Sequence, residues 1–317
     1  MTDTTRPKMS RRGVLAAGMA AGVTAAMGPS LVAAAETANR QILRTIPSTG
    51  ERLPVIGIGT NAFGVTAPDE LAAIRDVLKT LPELGGKLID TARGYGSSEV
   101  VIGRLLAELG NRDKFFLATK TPMRDDSADG AAVLDESFRR LQVDRIDLLQ
   151  IHNFGGITEL MPHFIQYKQA GKIRYIGCTT SEDRQYAQML DAMQKYKLDF
   201  IQVDYSIGNR GAAERILPLA RDKGIAVIIN VPFGGRGRSF FPRVAGKPVP
   251  DFAREIGATT WAQFFLKFII AHPAVTAAIP GTTTVDYLRD NQAAGRGVVP
   301  DAAMVKRMEQ YWDALPA

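Results

Sequence analysis

Leu88–Glu99 reads LIDTARGYGSSE, an apolar run that stops on a carboxylate, Asp90, and presents a phenol, Tyr95, in a glycine turn five residues later. The next two apolar runs also stop on ionisable groups, Lys120 and His152. A phenol ionises near pH 10 and donates its proton poorly at neutral pH unless a cation stabilises the phenolate. Lys120 can supply that charge, and a lysine in a partly closed site needs a counter-ion such as Asp90. His152 can hydrogen-bond a substrate oxygen and orient it. Phenol, ammonium, carboxylate and imidazole together form a general-acid device for a carbonyl oxygen. None of the four is a reductant, so electrons must arrive on a hydride carrier.

The elements that would hold these groups are legible along the chain. Short apolar runs occur at 55–59, 87–90, 115–120, 146–152, 173–179, 200–205, 226–231 and 274–280, alternating with helix-period stretches such as DELAAIRDVLKTL, EVVIGRLLAEL, AAVLDESFRRL and AERILPLARDKG. Gly110, Gly171 and Gly224 stand where helix-ending glycines belong. Alternating strands and helices imply a parallel sheet, and eight units in a chain of this size predict a closed (β/α)8 TIM barrel over residues 36–317. The Rossmann fingerprint is missing, because Gly57-Ile58-Gly59-Thr60 is not followed by its third glycine, and there is no P-loop. QILRTIPSTGERLP, with a turn at Ser48-Thr49-Gly50, predicts a hairpin closing the barrel floor. Barrel sites lie at the C-terminal ends of strands, so Asp90, Lys120 and His152 should share one face with Tyr95.

Composition is that of a globular protein, with 45% hydrophobic and 23% charged residues among 317. A single cysteine, Cys178, excludes an intramolecular disulfide, and three histidines without HExxH spacing give no basis for a metal site. The net charge of +6 is partly local, because Arg6, Lys8, Arg11 and Arg12 face only Asp3 in residues 1–35. The remaining cations are interspersed with acids, which argues against nucleic acid as a partner. Residues 1–35 have a basic start, a weakly apolar Ala/Gly/Val/Met stretch and Ala33-Ala34-Ala35 before Glu36, the layout of a cleavable export signal. Ser10-Arg11-Arg12 ahead of Gly13-Val14-Leu15 resembles a twin-arginine signal, so the twin-arginine export machinery is an expected partner and the periplasm, or another exported location, the expected destination. The stretch is too short and too weakly apolar to span a hydrocarbon core of ~30 Å.

The stretches IDTARGYGSSE, ATKT, SFRRLQVDRIDLLQIHN, GKIRYIGCTTS, FIQVDYS and IPGTTTVDYLRDN, in this order, resemble the aldo-keto reductase family across the expected mature chain. The resemblance implies an oxidoreductase that interconverts a small-molecule carbonyl and its alcohol with NADP or NAD. It implies the tetrad Asp90, Tyr95, Lys120 and His152, with Tyr95 the proton donor. For the cofactor it implies Gly59, Thr60 and Asn61 after the first barrel strand, and Thr179, Thr180 and Gln202 at the nicotinamide carboxamide. It adds Asn230, Pro232, Phe233, Gly234, Arg236 and Arg238 after the seventh strand, and Thr282, Thr283, Arg289 and Asn291 after the eighth. The chain departs from the family pattern at Thr180, where an asparagine is more common, and at Asn230, where an aromatic ring is. Gly281 and Tyr287 fall where NADP-preferring members place cations, which leaves NADH open beside NADPH. A short loop after His152 and a short C-terminus imply an open mouth, with Phe63, Phe154 and Phe240 placed to line it. Two further readings compete. One is a cofactor-binding barrel acting as a redox sensor without turnover. The other is Schiff-base chemistry at Lys120, which a neighbouring Asp90 disfavours because it would raise the lysine's pKa.

Overall fold

Hydrogen bonding between runs adjacent in sequence builds the architecture, seen in a computed structural model that describes residues 39–122, 130–235, 237 and 239–316. The signal-like segment 1–35, Arg236 and Arg238 lie outside the described residues. The barrel strands are β3 (Ile58–Gly59), β4 (Leu88–Asp90), β5 (Phe116–Lys120), β6 (Ile146–His152), β7 (Ile173–Thr179), β8 (Phe200–Asp204), β9 (Ala226–Asn230) and β10 (Val275–Ala278), paired in parallel in chain order. The ring closes through parallel bridges Ile56↔Ala278 and Gly59↔Gly281. That seam depends on glycine, since a Cβ on Gly59 would lie 2.9 Å from the Ile279 carbonyl oxygen.

Helices α1 (Pro68–Glu83), α2 (Ser98–Leu109), α3 (Gly130–Leu141), α4 (Ile157–Gln169), α5 (Tyr186–Lys195) and α6 (Ala212–Asp222) connect β3 through β9. A short α7 (Phe241–Val244) and then α8 (Trp261–Ala271) lead into β10, and α9 (Val285–Ala294) and α10 (Ala302–Asp313) complete the chain. Gly110 caps α2 in the left-handed region at φ 60°, and Gly171 and Gly224 take φ 74° and 65° just beyond α4 and α6, as expected from sequence. No helix among the described residues is long and apolar enough to cross a membrane.

The strand period of two divides the core. Outward residues such as Leu117, Leu149, Ile176, Ile201 and Val227 pack against the helices, while Leu88, Phe116, Ala118, Leu148, Tyr175, Phe200 and Ile228 fill the interior. Continuing the inward parity up each strand gives Asp90 after Leu88, Lys120 after Ala118, and Gln150 then His152 after Leu148. It gives Thr179 on β7, Gln202 on β8 and Asn230 on β9. The upper layer of the barrel is therefore polar and the lower layer apolar.

The expected hairpin is present, with β1 (Leu43–Thr45) antiparallel to β2 (Arg52–Pro54) and Gly50 at φ 78° in its turn. Ile46 and Leu53 join the interior cluster from below. The Tyr175 hydroxyl meets Thr49 Oγ1 at 2.8 Å and donates to Glu51 at 2.7 Å, which fixes the hairpin over an aromatic layer of Phe116, Tyr175 and Phe200. Phe63, expected at the mouth, is fully buried in the outer core, so it does not line the site. Phe154 packs partly buried against that core. Phe240 packs on Phe265 and Trp312, its ring centroid 5.2 Å from that of Trp312.

One cation far from the mouth carries a testable consequence. Lys267 on α8 is 1% exposed and donates to the carbonyls of Arg296 and Val298 at 2.5 and 2.6 Å, with no carboxylate pairing it among the described residues. Burial pushes its pKa down to about 8. The unfolded chain keeps an ordinary lysine near 10.4, so between these values it binds more protons than the folded chain, and stability must rise with pH in that window. Urea unfolding from pH 8 to 10 should give a steeper rise in midpoint for the wild type than for Lys267→Met. Parallel curves would show that the lysine stays ionised in the folded state.

Candidate active site

The tetrad residues named from sequence lie within reach of one another at the C-terminal end of the barrel. The Lys120 ammonium has three hydrogens and three acceptors: an Asp90 carboxylate oxygen, the Thr91 carbonyl at 3.0 Å and the Tyr95 hydroxyl at 3.3 Å. The Lys120 and Asp90 side chains are each 1% exposed. Burial opposes the charge on Lys120, but Asp90 and then Tyr95 outweigh it, and the lysine's pKa lies above its ordinary value. Held by three acceptors, the lysine is favoured as an ammonium, whereas Schiff-base chemistry needs a free amine. His152 stands edge-on to Tyr95, ring centroids 5.9 Å apart. Burial and then the Lys120 charge push its pKa down to about 3. It is a neutral imidazole at working pH, suited to orienting an oxygen rather than protonating it.

Asp90 is held from its other side by two amides that sequence reasoning treated unequally. Its second oxygen accepts from Gln202 at 2.9 Å and from Gln150 at 3.2 Å. Gln150 was missed, although it lies two residues before His152 and so on the same inward parity, the one signal that could have found it.

The turn carrying Tyr95 is fastened from outside. Arg140 on α3 donates to the Gly96 carbonyl and pairs with Glu99, Nε to Oε2 3.3 Å. Glu99 is wholly buried and its other oxygen accepts from Thr119, next to Lys120, at 2.7 Å. Burial keeps its pKa above the usual carboxylate value. This acid therefore ties the strand of Lys120 to the arginine that grips the turn of Tyr95. Gly64 completes the fit, since a Cβ there would lie 2.9 Å from the Tyr95 carbonyl.

The residues expected around a cofactor divide by what their polar atoms already do. Gly59, Asn61 and Gly281 meet at the ring seam, with Asn61 Oδ1 3.3 Å from the position of a Gly281 Cβ. Thr60 is buried and its hydroxyl donates to the Asp90 carbonyl at 3.0 Å. Thr179 accepts from the Asn153 amide at 3.2 Å, and the Thr180 hydroxyl donates to Gln185 at 2.6 Å while accepting from the Glu182 amide at 3.1 Å. Asn230 donates to the Thr180 carbonyl at 2.9 Å and to Gln202 Oε1 at 3.4 Å. Pro232 is buried, Phe233 packs on Phe241 at 5.2 Å, and Gly234 takes φ 81°. Thr282 closes a turn by accepting from the Thr284 amide at 3.2 Å, just ahead of α9. On that helix Asn291 is 4% exposed, Tyr287 is 68% exposed and Arg289 is exposed.

Residues 55–313 match the Aldo/keto reductase family. The chain belongs to that family. Membership makes it an oxidoreductase of the NAD(P)-dependent kind. Among its relatives, aldo-keto reductase YhdN of Bacillus subtilis is 34% identical over 58% of this chain and 60% of its own length. L-galactose dehydrogenase of Arabidopsis thaliana is 30% identical over 80% of this chain and 87% of its own. An aldo/keto reductase from Klebsiella pneumoniae, solved with NADP and acetate, superposes with a TM-score of 0.70 at 24% identity, covering 86% of this chain and 95% of that one. At that identity the likeness bears on the fold, the parallel eight-stranded barrel.

Proposed function

We propose that this chain reduces small-molecule aldehydes or ketones to alcohols with NADPH or NADH, and oxidises alcohols in reverse. The observation that carries the reading is the triple engagement of Lys120, which donates to Asp90, Thr91 and Tyr95 and so keeps a positive charge beside the phenol. Tyr95 gives its hydroxyl proton to the carbonyl oxygen, and Lys120 stabilises the phenolate left behind. Neutral His152 hydrogen-bonds the same oxygen and sets its approach. Asp90 balances the ammonium and, gripped by Gln150 and Gln202, cannot turn away from it.

The nicotinamide dinucleotide supplies the hydride. Residues to hold it are Gly59, Asn61 and Gly281 at the seam, Gln202 and Asn230 in the upper polar layer, Gly234 and Gly235 after β9, Thr282 and Thr283 just ahead of α9, and Asn291 in the second half of that helix. The fit is supported by Asn230 Oδ1, a buried acceptor with no donor among the described residues. NADP and NADPH complexes of structural neighbours support the same class of cofactor. Gly281 offers no side chain and Tyr287 no charge, so Arg289 is the cation of this helix available to a 2′-phosphate. We read residues 1–35 as an export signal, on the strength of their sequence pattern.

The test is a fluorescence titration with NADPH and with NADH, followed by cofactor oxidation in the presence of a panel of aldehydes and ketones. Micromolar binding of either dinucleotide with carbonyl-dependent oxidation is the expected result, and the tighter dinucleotide identifies the preference. Binding without oxidation of any carbonyl favours the sensor reading, and no binding removes the reductase.

A further inference from the structure

Three side chains of the site form a chain of polarity that starts at Asp90. A carboxylate only accepts, so the hydrogen bond of 2.9 Å from Gln202 fixes that amide with its nitrogen toward Asp90 and its oxygen outward. The outward oxygen accepts from Asn230 at 3.4 Å, and the same Asn230 nitrogen donates to the Thr180 carbonyl at 2.9 Å. Both amide orientations are thereby set by the acid. What remains is Asn230 Oδ1, shielded from solvent and without a donor among the described residues. The next residue, Val231, takes φ 39°, a left-handed conformation that a β-branched residue rarely adopts. Strain of this kind persists where the surroundings over-determine it, and here it falls directly after Asn230 at the end of β9.

We propose that Asn230 Oδ1 is the acceptor for the carboxamide N–H of the nicotinamide ring, in place of the threonine hydroxyl that the sequence pattern indicated. This rests on the reductase reading. A hydride carrier serving a carbonyl at Tyr95 must enter the same barrel mouth, and its carboxamide is the hydrogen-bond donor of its ring. The neighbouring acceptors are engaged: Thr179 by the Asn153 amide, Thr180 by the Glu182 amide while donating to Gln185, and Gln202 at both ends of its amide. Among the described residues, two other buried side-chain atoms of the site lack a hydrogen-bond partner. Gln150 Oε1 belongs to a fully buried residue beneath the tetrad, and His152 Nδ1 belongs to the ring that faces Tyr95. Asn230 lies across the floor, tied to Thr180 and Gln202, and only its acceptor is left for a ligand.

Calorimetric titration of the full chain with NAD⁺ and NADP⁺, and with their 3-acetylpyridine analogues, reads this contact directly. The analogues replace the amide nitrogen by a methyl group and so remove the donor. Wild type should bind the nicotinamide form about tenfold or more tightly than the analogue, because a site built around an N–H rejects a ligand lacking it. Asn230→Leu should lower affinity for the nicotinamide form to the level of the analogue and leave the analogue's affinity within about twofold. The comparison in wild type stands even if the leucine variant does not fold. Equal wild-type affinity for both ligands, or an equal loss for both in the variant, overturns the contact while the reductase reading survives. Binding of no dinucleotide overturns both.

Discussion

Tyr95→Phe should lower kcat for carbonyl reduction by about 10²–10⁴-fold and leave dinucleotide affinity within about twofold. The magnitude is what positioned general acids contribute. The substitution removes one oxygen, and in this fold that oxygen sits 3.3 Å from the Lys120 nitrogen. The ring itself is retained, so its edge-on packing with His152 survives and the site does not collapse. Neutral His152 cannot replace the lost proton, since its pKa near 3 leaves it without an ionised form to donate from at working pH. Loss of rate should therefore appear in kcat rather than in binding. Stopped-flow oxidation of prebound NADPH or NADH separates the two. A variant with wild-type single-turnover rate would assign the proton to another group.

Lys120→Met should lower stability by about 3–5 kcal/mol, the usual cost of removing one partner of a buried ion pair, and lower activity as well. The lysine is 1% exposed, and its loss leaves Asp90, equally buried, with the Gln150 and Gln202 amides as the donors to its carboxylate among the described residues. Replacing the acid as well, in Lys120→Met/Asp90→Leu, removes the uncompensated charge and should recover most of the stability but none of the activity. Urea unfolding measures the first effect and cofactor oxidation the second. The single variant also strips one of the two causes that keep His152 neutral, so that histidine should titrate closer to its ordinary value, observable by NMR. A stable Lys120→Met protein with an unchanged His152 titration would mean that the cation is not what organises this floor.

The order of strands, the helix-ending glycines and the floor hairpin could all be read from the chain, because each depends on residues close in sequence. The same holds for where the four ionisable groups lie. A period of two along each apolar run places Asp90, Lys120 and His152 at one level, and a parallel sheet puts those levels at one end. Phe63 was misplaced, since periodicity does not say on which side of the strand ends a loop aromatic folds, and here the outer core takes it. The hydroxyls of Thr60 and Thr180, which the family pattern places beside the cofactor, each donate to a partner within the chain, and those bonds are not legible in the sequence.

Sequence by itself therefore determined which groups meet: a phenol, an ammonium, a carboxylate and an imidazole at the mouth of a barrel. Tertiary structure decided which of the surrounding polar atoms are already engaged and which are left for a ligand. The reason is the range of the contacts. Gln202 reaches Asp90 across 112 residues and Asn230 reaches Thr180 across 50, so neither bond exists until the ring of strands has closed.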